Sequence, residues 1–363
     1  MWSSLGDAPK LDEVEVTVLG PGYGESIVVH LGNNEWMIVD SCIDNSLPDK
    51  PVAPLKYLNS IGVSPSESVK YIVISHWDDD HVRGVSSILR ECVNAEFYCS
   101  SVFADQKFTD FIEAISINDS DRDGRNVKSI REVLYYLHEK GKPIKKVVPA
   151  RQISRLPKIM SWSPSDIESD DFLLKLASFH PKAGEPYRKA TGIDSNLSSV
   201  VLTIEWPDFA VLLGADMEFS SNPQKGWGAV VSEALQIGVK QSDLVKIPHH
   251  GSRTGHDDSM WDKLLTNKPI SIVTTFGKGS FASRPPTQED ITRIRSKSGK
   301  LHITSRHSLP KGPVGMDLGV IKSLRESGIK LSSKKLQIGI VRNRRISSGA
   351  WKNELFGEAY TSK

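Results

Sequence analysis

The densest group of side chains that could bind a metal ion lies at residues 76–81, directly after a run of apolar, mostly β-branched residues. Here His76, Asp78, Asp80 and His81 follow the spacing H-x-D-x-D-H. Imidazole nitrogen and carboxylate oxygen are donors that bind Zn²⁺, Mn²⁺ or Fe²⁺. In an extended loop alternate side chains share one side, so three of these donors would face the same way with His81 beside them. A solvated acidic loop would also accommodate the aspartates, but it would not need a histidine at each end.

Two further groups of candidate ligands follow apolar runs later in the chain. Asp216 comes directly after one such run, and His249 and His250 come after another, with Gly251 allowing close backbone approach. Each group also has an ordinary explanation, because Asp216 could cap a helix and His249 could be a hydrogen-bonded histidine of the core. A carboxylate at a strand end is, however, well placed to bridge two metal ions. Together with residues 76–81, these donors predict one shared site.

Strands and helices must bring these donors together. The alternation of Val14, Val16 and Val18 with polar residues has the period of a half-buried strand, and residues 26–31 and 36–41 predict a hairpin. The pattern predicts further strands at residues 71–75, 199–205, 210–213, 244–247, 270–275, 301–304 and 336–341, and helices at 54–61, 84–92, 127–140, 227–237 and 287–297. Mixed strands and helices, with polar residues at strand ends, favour a layered α/β protein over a helix bundle or an all-β sandwich.

Some segments depart from this regular pattern. The glycine-rich residues 20–26 lack the G-x-G-x-x-G order and the following helix of a dinucleotide site, so we interpret them as a turn near the active centre. Residues 101–176 are more charged, and we interpret them as an insertion or lid within a domain of residues 1–310. Their aspartate cluster at 119–125 lacks the twelfth-position glutamate of a calcium loop and predicts a solvated turn. Residues 311–363 would form a C-terminal extension that packs on the domain or contacts partners.

Composition excludes some classes of protein. The 363 residues are 38% hydrophobic, enough for one large core or two modest ones, and the net charge of +2 neither demands nor excludes a nucleic-acid partner. Three cysteines without a C-x-x-C spacing argue against a disulfide framework or a cysteine zinc site, and suit a reducing compartment. We find no secretory signal and no run near the ~20 apolar residues that cross a bilayer. We therefore expect a cytoplasmic protein without a membrane partner.

The motifs resemble those of a known family. Residues 76–84 resemble the second motif of the metallo-β-lactamase superfamily, in the H-x-D-x-D-H-x-x-G form of its ComEC-like hydrolase branch. Residues 37–41 are similar to the first motif, and the third, fourth and closing histidine blocks are matched by residues 179–181 and 196–202, by 212–216 and by 246–252. The resemblance runs from Val14 to Thr304. It implies an αβ/βα sandwich of two mixed sheets flanked by helices, with hydrolase activity that depends on one or two divalent ions.

The resemblance also implies a role for each donor. The first ion would be held by His76, Asp78 and Asp216. The second would be held by Asp80, His81, Asp216 and His250. The register of the family favours His250 as the ligand and leaves His249 to contact a phosphate or to donate a proton. Asp80, or Asp78 where it is not a ligand, would take up a proton, and Asp40 and Asn196 would support the site from behind.

Two departures from the superfamily affect the expected metal. Most members have a histidine where Asp78 stands and another near Asn196, and both are missing here, as in the ComEC-like branch. The first site is therefore rich in oxygen donors. Such coordination favours Mn²⁺, with Zn²⁺ as the alternative.

The leading functional hypothesis is a phosphodiesterase or nuclease that acts on nucleic acid or a nucleotide through a metal-activated water. Lys246, Ser252 and Arg253 would line the site beside the histidines, and Arg284 lies just ahead of a predicted helix N-terminus, where an anion could bind. The basic run at residues 342–345, with lysines at 334 and 335 upstream, could follow a nucleic-acid backbone. Plain surface solvation is the alternative for all these cations.

Two other functions remain open at this point. The same ions could serve hydrolysis of a carbon ester, lactone or amide. Alternatively, the chain could be a partner-binding protein with a vestigial metal site, in which case the insertion and the C-terminal tail would be its interaction surfaces.

Overall fold

The computed structural model describes residues 1–20, 24–118, 125–179, 194–277, 284–306 and 337–362, together with residues 323 and 327. Its strands are β1 Glu13–Gly20, β2 Ser26–Gly32, β3 Glu35–Val39, β4 Val69–Ile74, β5 Glu96–Ser100, β6 Ile144–Val147, β7 Arg151–Arg155, β8 Lys158–Ser161, β9 Leu202–Glu205, β10 Ala210–Leu213, β11 Ser242–Lys246, β12 Leu265–Val273, β13 Lys300–Ile303, β14 Gly339–Ile346, β15 Lys352–Phe356 and β16 Tyr360–Thr361. Its α-helices are α1 Ala53–Ser60, α2 Pro65–Ser68, α3 Asp79–Val82, α4 Val85–Glu91, α5 Gln106–Asn118, α6 Arg125–Glu139, α7 Asp166–Phe179, α8 Gly226–Ile237 and α9 Gln288–Lys297.

The strands form two mixed sheets. The first has the order β15-β14-β1-β2-β3-β4-β5-β6, and its strands from β3 to β6 run parallel. The second has the order β16-β13-β12-β11-β10-β9-β8-β7, and its strands from β10 to β13 run parallel. The expected α/β architecture of two mixed sheets flanked by helices is confirmed.

Apolar side chains fill three layers between these elements. Strand alternation places one set, which includes Val16 and Val211, between the two sheets. The outer face of the first sheet packs on α1 and α4 to α7, with Tyr57 and Phe108 fully buried there. The outer face of the second sheet packs on α8 and α9 around Trp227. The two sheets therefore stack face to face with helices outside both.

The segment expected to be an insertion contributes to both sheets. Strand β6 forms the edge of the first sheet, whereas β7 forms the edge of the second and β8 lies next to it. Helices α5, α6 and α7 cover the outer face of the first sheet through residues such as Phe108, Ile130 and Phe172. The interpretation of residues 101–176 as a lid is thus corrected, because much of the segment completes the sandwich. Its aspartate cluster at residues 119–124 lies outside the described residues.

The C-terminal residues are also part of the sandwich. Strand β14 pairs with β1 along its whole length, and β16 joins β13 in the second sheet. The basic run lies inside β14, where Arg342 pairs with Glu354 and Arg344 with Glu15.

Arg345 of the same strand pairs with Asp243 and lies over the ring of Phe209. Each guanidinium of the run is therefore engaged within the fold, which corrects the interpretation that this run follows a nucleic-acid backbone. The lysines at 334 and 335 lie outside the described residues. Within the described chain, no helix combines the length and the apolar character that a bilayer crossing requires.

Candidate metal centre

Strand ends of both sheets meet at one edge of the sandwich and carry the predicted ligands. In the first sheet, β3 ends just before Asp40 and β4 ends just before the segment that contains His76. In the second, the parallel strands β10 and β11 end just before Asp216 and His250. A backbone hydrogen bond of 3.1 Å from the Val200 N–H to the Ser75 carbonyl joins the two sheets here. Donors from distant parts of the chain thereby share one location.

The imidazoles converge on a single carboxylate oxygen. Oδ2 of Asp216 lies 3.9 Å from Nε2 of His76, 3.6 Å from Nε2 of His81 and 3.5 Å from Nε2 of His250. Oδ2 of Asp80 lies 3.6 Å from Nε2 of His81 and 3.2 Å from Nε2 of His250. All five residues are buried. Asp216 is therefore the carboxylate that the three histidines share.

The arrangement fits a divalent cation. Nε2 of His76 and Nε2 of His81 are buried and have no hydrogen-bond partner in the protein, although buried polar atoms are normally paired. Ligand atoms about 2.1 Å from a tetrahedral ion lie roughly 3.4 Å from one another. The separations of 3.2–3.6 Å among Asp80, His81, Asp216 and His250 agree with that value. These four residues, with His76 beside them, form the candidate metal centre.

The opposite nitrogen of each ring is held by the protein. Nδ1 of His81 lies 2.8 Å from Oδ2 of Asp40, and Nδ1 of His250 lies 3.1 Å from Oγ1 of Thr274. Nδ1 of His76 lies 2.9 Å from Oγ of Ser75. A hydrogen bond at Nδ1 leaves the Nε2 lone pair available for a metal. Asp40 thus lies where the family resemblance expects a supporting carboxylate.

Burial and neighbouring charges put His76 and Asp80 in the forms that bind metals. Burial and the adjacent His81 lower the pKa of His76 to about 3, so its imidazole is neutral at pH 7. Burial by itself would raise the pKa of Asp80, but His81 and His250 outweigh that effect and bring the pKa to about 2. The Asp80 carboxylate is therefore ionised at neutral pH.

A buried ion pair that the sequence did not reveal lies behind the ligands. Nζ of Lys246 is 2.5 Å from Oε1 of Glu25, 3.1 Å from the carbonyl of Ala215 and 3.7 Å from Oδ1 of Asp216. Burial alone would lower the pKa of Lys246, but the carboxylates of Glu25 and Asp216 outweigh it and raise the pKa. Lys246 is fully buried, which corrects the expectation that it contacts substrate.

Glu25 also has donor atoms near the centre. One atom each of Glu25, His81, Asp216 and His250 lie within 4.8 Å of one another, a grouping that could hold an ion. The Glu25 oxygens nevertheless face Nδ1 of His81 at 3.9 Å and Nδ1 of His250 at 3.7 Å, on the side away from Asp80. Both oxygens are already bound, one by Lys246 and the other by the Thr274 hydroxyl at 2.5 Å. We therefore place Glu25 behind the ligands rather than among them.

The other side of the centre opens to solvent. The side chain of Asp78 is 41% exposed, and its Oδ2 lies 3.9 Å from Nε2 of His76. His249 is partly exposed, and its Nδ1 lies 2.8 Å from Oε1 of Glu218 and 2.8 Å from Oγ1 of Thr254. Burial would lower the pKa of His249, but Glu218 outweighs it and raises the pKa. Glu218 was not predicted from sequence, because only the fold brings it to His249.

The remaining predicted residues lie around His249. Asn196 donates from Nδ2 to Oε1 of Glu218 at 3.2 Å, so it supports Glu218 rather than the metal ligands, which corrects its expected position. Oγ of Ser252 lies 3.2 Å from Nδ1 of His249, and Arg253 is exposed on the same turn. These residues, with Asp78, Glu218 and Thr254, are called the rim below.

Arg284 lies in the segment that leads into α9. The neighbouring Pro286 packs near Gly251, which brings this segment beside the histidine turn. The N-terminus of α9 is, however, closed by a capping box in which Thr287 and Asp290 bond each other's backbone N–H groups. The expectation of an anion seat at this helix N-terminus is therefore corrected.

One protein-family model matches part of the chain. Residues 19–138, which include Asp40 and the H-x-D-x-D-H segment, match the metallo-beta-lactamase superfamily. No curated protein matches the chain.

Several solved structures are similar at low identity. The metallo-beta-lactamase fold protein YhfI from Bacillus subtilis is 12% identical over 80% of this chain and 95% of its own, with a TM-score of 0.41. The MIM-2 metallo-beta-lactamase is 15% identical over 73% and 84%, with a TM-score of 0.37. The hydrolase AbOPH is 13% identical over 63% and 83%, with a TM-score of 0.37.

Proposed function

We propose that this chain, whose residues 19–138 match the metallo-β-lactamase superfamily, is a metal-dependent hydrolase of phosphodiesters from the ComEC-like branch. The observation that carries the proposal is the convergence of three Nε2 atoms on Oδ2 of Asp216, two of which have no hydrogen-bond partner among the described residues. A buried cluster of this composition is costly unless a cation completes it. Zn²⁺ or Mn²⁺ is the expected ion, held by Asp80, His81, Asp216 and His250, with His76 and Asp78 available for a second.

When bound, a divalent ion would supply Lewis acidity and make water a stronger nucleophile at neutral pH. The protein would contribute the proton transfers. Asp80 is enclosed between His81 and His250, so the half-exposed Asp78 is the carboxylate that can accept a proton from the attacking water. His249, oriented through Nδ1 by Glu218, can donate from Nε2 to the leaving oxygen.

The rim favours a phosphate over a neutral acyl group. Arg253 offers an exposed guanidinium, and such a group forms paired hydrogen bonds with phosphate oxygens. The Ser252 hydroxyl and His249 lie on the same turn and provide further donors. A substrate with a charged phosphodiester would use all three groups, whereas an ester or lactone has no negative charge for the arginine.

A comparison of two chromogenic substrates tests the proposal. The protein loaded with Mn²⁺ or Zn²⁺ should hydrolyse bis-p-nitrophenyl phosphate faster than p-nitrophenyl acetate. Arg253→Ala should lower kcat/KM for the phosphodiester about tenfold, the effect of one hydrogen bond to a charged group, and should leave the acetate rate unchanged. Arg155→Ala, which removes an exposed arginine from β7, is the matched control. Turnover of the acetate without turnover of the phosphodiester would overturn the proposal in favour of an acyl hydrolase. Absence of both activities in the metal-loaded protein would favour a binding role.

A further inference from the structure

A large aromatic side chain stands in solvent next to the rim. Phe219 is 57% exposed, although burial of a phenylalanine is strongly favourable. Among the large exposed apolar residues of the described chain only Phe219 and Tyr135 are aromatic, and Tyr135 lies on α6, where it lines a groove with Thr109 and Ile112 of α5. The preceding apolar residue, Met217, is buried, so the loop already has its hydrophobic anchor. The position of this loop therefore does not depend on packing of the Phe219 side chain.

The backbone that carries Phe219 is fixed by several contacts. Its N–H donates to the Thr254 carbonyl at 2.7 Å, and the neighbouring Glu218 carbonyl accepts from the Trp227 N–H at 3.3 Å. Gly226 has a φ of +58°, and a Cβ there would lie 2.4 Å from the Glu218 carbonyl oxygen. The loop is thus closely packed against the start of α8. A ring on such a support loses little conformational freedom when a ligand covers it.

The position of Phe219 relates it to the rim. The preceding residue, Glu218, holds His249, and the Thr254 that bonds the Phe219 backbone also bonds His249. Arg253 immediately precedes Thr254 on that turn. The Phe219 backbone is therefore hydrogen-bonded to the residue that follows Arg253, and the side chains of Phe219 and Arg253 are both exposed.

We propose that Phe219 is a stacking platform for the base of a nucleotide unit whose phosphate contacts Arg253. This inference rests on the proposed phosphodiesterase function and narrows its substrate class to nucleotides or single-stranded nucleic acid. A flat π-surface beside a phosphate-binding cation matches these substrates, since stacking on an aromatic side chain accepts any base.

Binding of two short strands to the metal-loaded full chain tests the inference. The probes are a fluorescent four-residue phosphorothioate oligothymidylate and an abasic strand with the same backbone, and affinity is measured by fluorescence polarisation. The protein should bind the base-bearing strand more tightly than the abasic one. Phe219→Ala should weaken binding of the base-bearing strand about 5- to 100-fold, the range for loss of one stacked base. It should leave the abasic strand unaffected.

Two variants serve as controls. Phe219→Trp should retain the preference for bases, and Tyr135→Ala, which removes the exposed aromatic side chain of α6, should bind like the parent protein. Equal affinity of the parent for both strands, no effect of Phe219→Ala, or equal weakening of both strands would each overturn the inference. Failure of the proposed function is read separately, from the absence of phosphodiester hydrolysis.

Discussion

The two sides of the metal centre, the enclosed side behind the ligands and the exposed rim, differ in their hydrogen bonding. Polar groups on the enclosed side are paired within the protein, whereas those on the rim are partly open to solvent. Behind the ligands, Glu25, Asp40 and Lys246 are at most 1% exposed, and each contacts at least two polar partners within the protein. On the rim, Asp78, His249 and Arg253 remain partly or fully exposed. The adjacent residues His249 and His250 mark the boundary. Both have positive φ values, 45° and 52°, but His249 contacts Glu218 whereas His250 contacts Asp80 and Asp216.

This difference separates two tasks. Buried polar groups must be completely satisfied, so the enclosed side can adopt only one arrangement and fixes the positions of the metal ligands. The rim keeps donors and acceptors that a ligand can use. Substitutions on the enclosed side should therefore change stability and metal content, whereas substitutions on the rim should change turnover at unchanged metal content.

The largest expected effect is at Asp216, which lies between the three histidines and Lys246. Asp216→Ala removes the oxygen on which three Nε2 atoms converge, so we expect loss of bound metal together with loss of hydrolysis. Elemental analysis after dialysis measures the metal directly. Asp208→Ala, at the opposite end of β10 and exposed, should retain both. Two ions per chain in Asp216→Ala would show that the ligands do not depend on a shared carboxylate.

The next largest effect tests the enclosed side alone. Lys246→Met leaves Glu25 as an unpaired buried carboxylate, which should cost about 3–5 kcal/mol in the free energy of unfolding. Urea denaturation in the presence of a chelator measures this cost without a metal contribution. The double variant Glu25→Gln with Lys246→Met should recover most of the loss, because no unpaired charge remains.

Arg253→Ala on the rim should change the same free energy by less than about 0.5 kcal/mol. If Lys246→Met and Arg253→Ala have similar effects on stability, the contrast between the two sides is wrong.

The same contrast explains which site residues could be found from sequence. The spacing of His76, Asp78, Asp80 and His81 is local, and Asp216 was recognised because it follows a strand. Glu25 and Lys246 gave no such signal. Lysine is usually exposed, so the sequence suggested that Lys246 contacts substrate. In the fold it is instead buried and paired with Glu25.

The errors in the prediction of the fold from sequence have a related cause. Strands β6 and β7 lie at sheet edges and are only partly buried, so their charged sequence resembled an insertion. The arginines of β14 resembled a solvated basic run because their partners are set by register. Arg344 of β14 lies opposite Glu15 of β1, and Arg342 of β14 lies opposite Glu354 of β15. Local sequence does not contain that register.

The smallest of the three effects tests the rim. His249→Ala should retain its metal, because His249 has no contact with the ligand atoms, and should lower kcat about 100-fold through loss of a proton donor. Elemental analysis and steady-state kinetics on the same preparation separate the two outcomes. If His249→Ala loses the ion whereas His250→Ala retains it, the roles of the two residues are exchanged.

Substitutions of Glu218 make this test more specific, because Glu218 acts through His249. Oε1 of Glu218 is contacted by His249 and also accepts from Asn196 and Thr254, so the carboxylate fixes the direction of the imidazole. Glu218→Gln keeps an oxygen acceptor at this position and should lower kcat less than Glu218→Ala does, with KM and metal content unchanged in both. A purely structural role for Glu218 would instead appear as an equal loss of stability and activity without rescue by glutamine. Such a result would mean that Glu218 does not orient His249 as a proton donor. Among the described rim residues, Asp78 would then be the group left with a role in proton transfer.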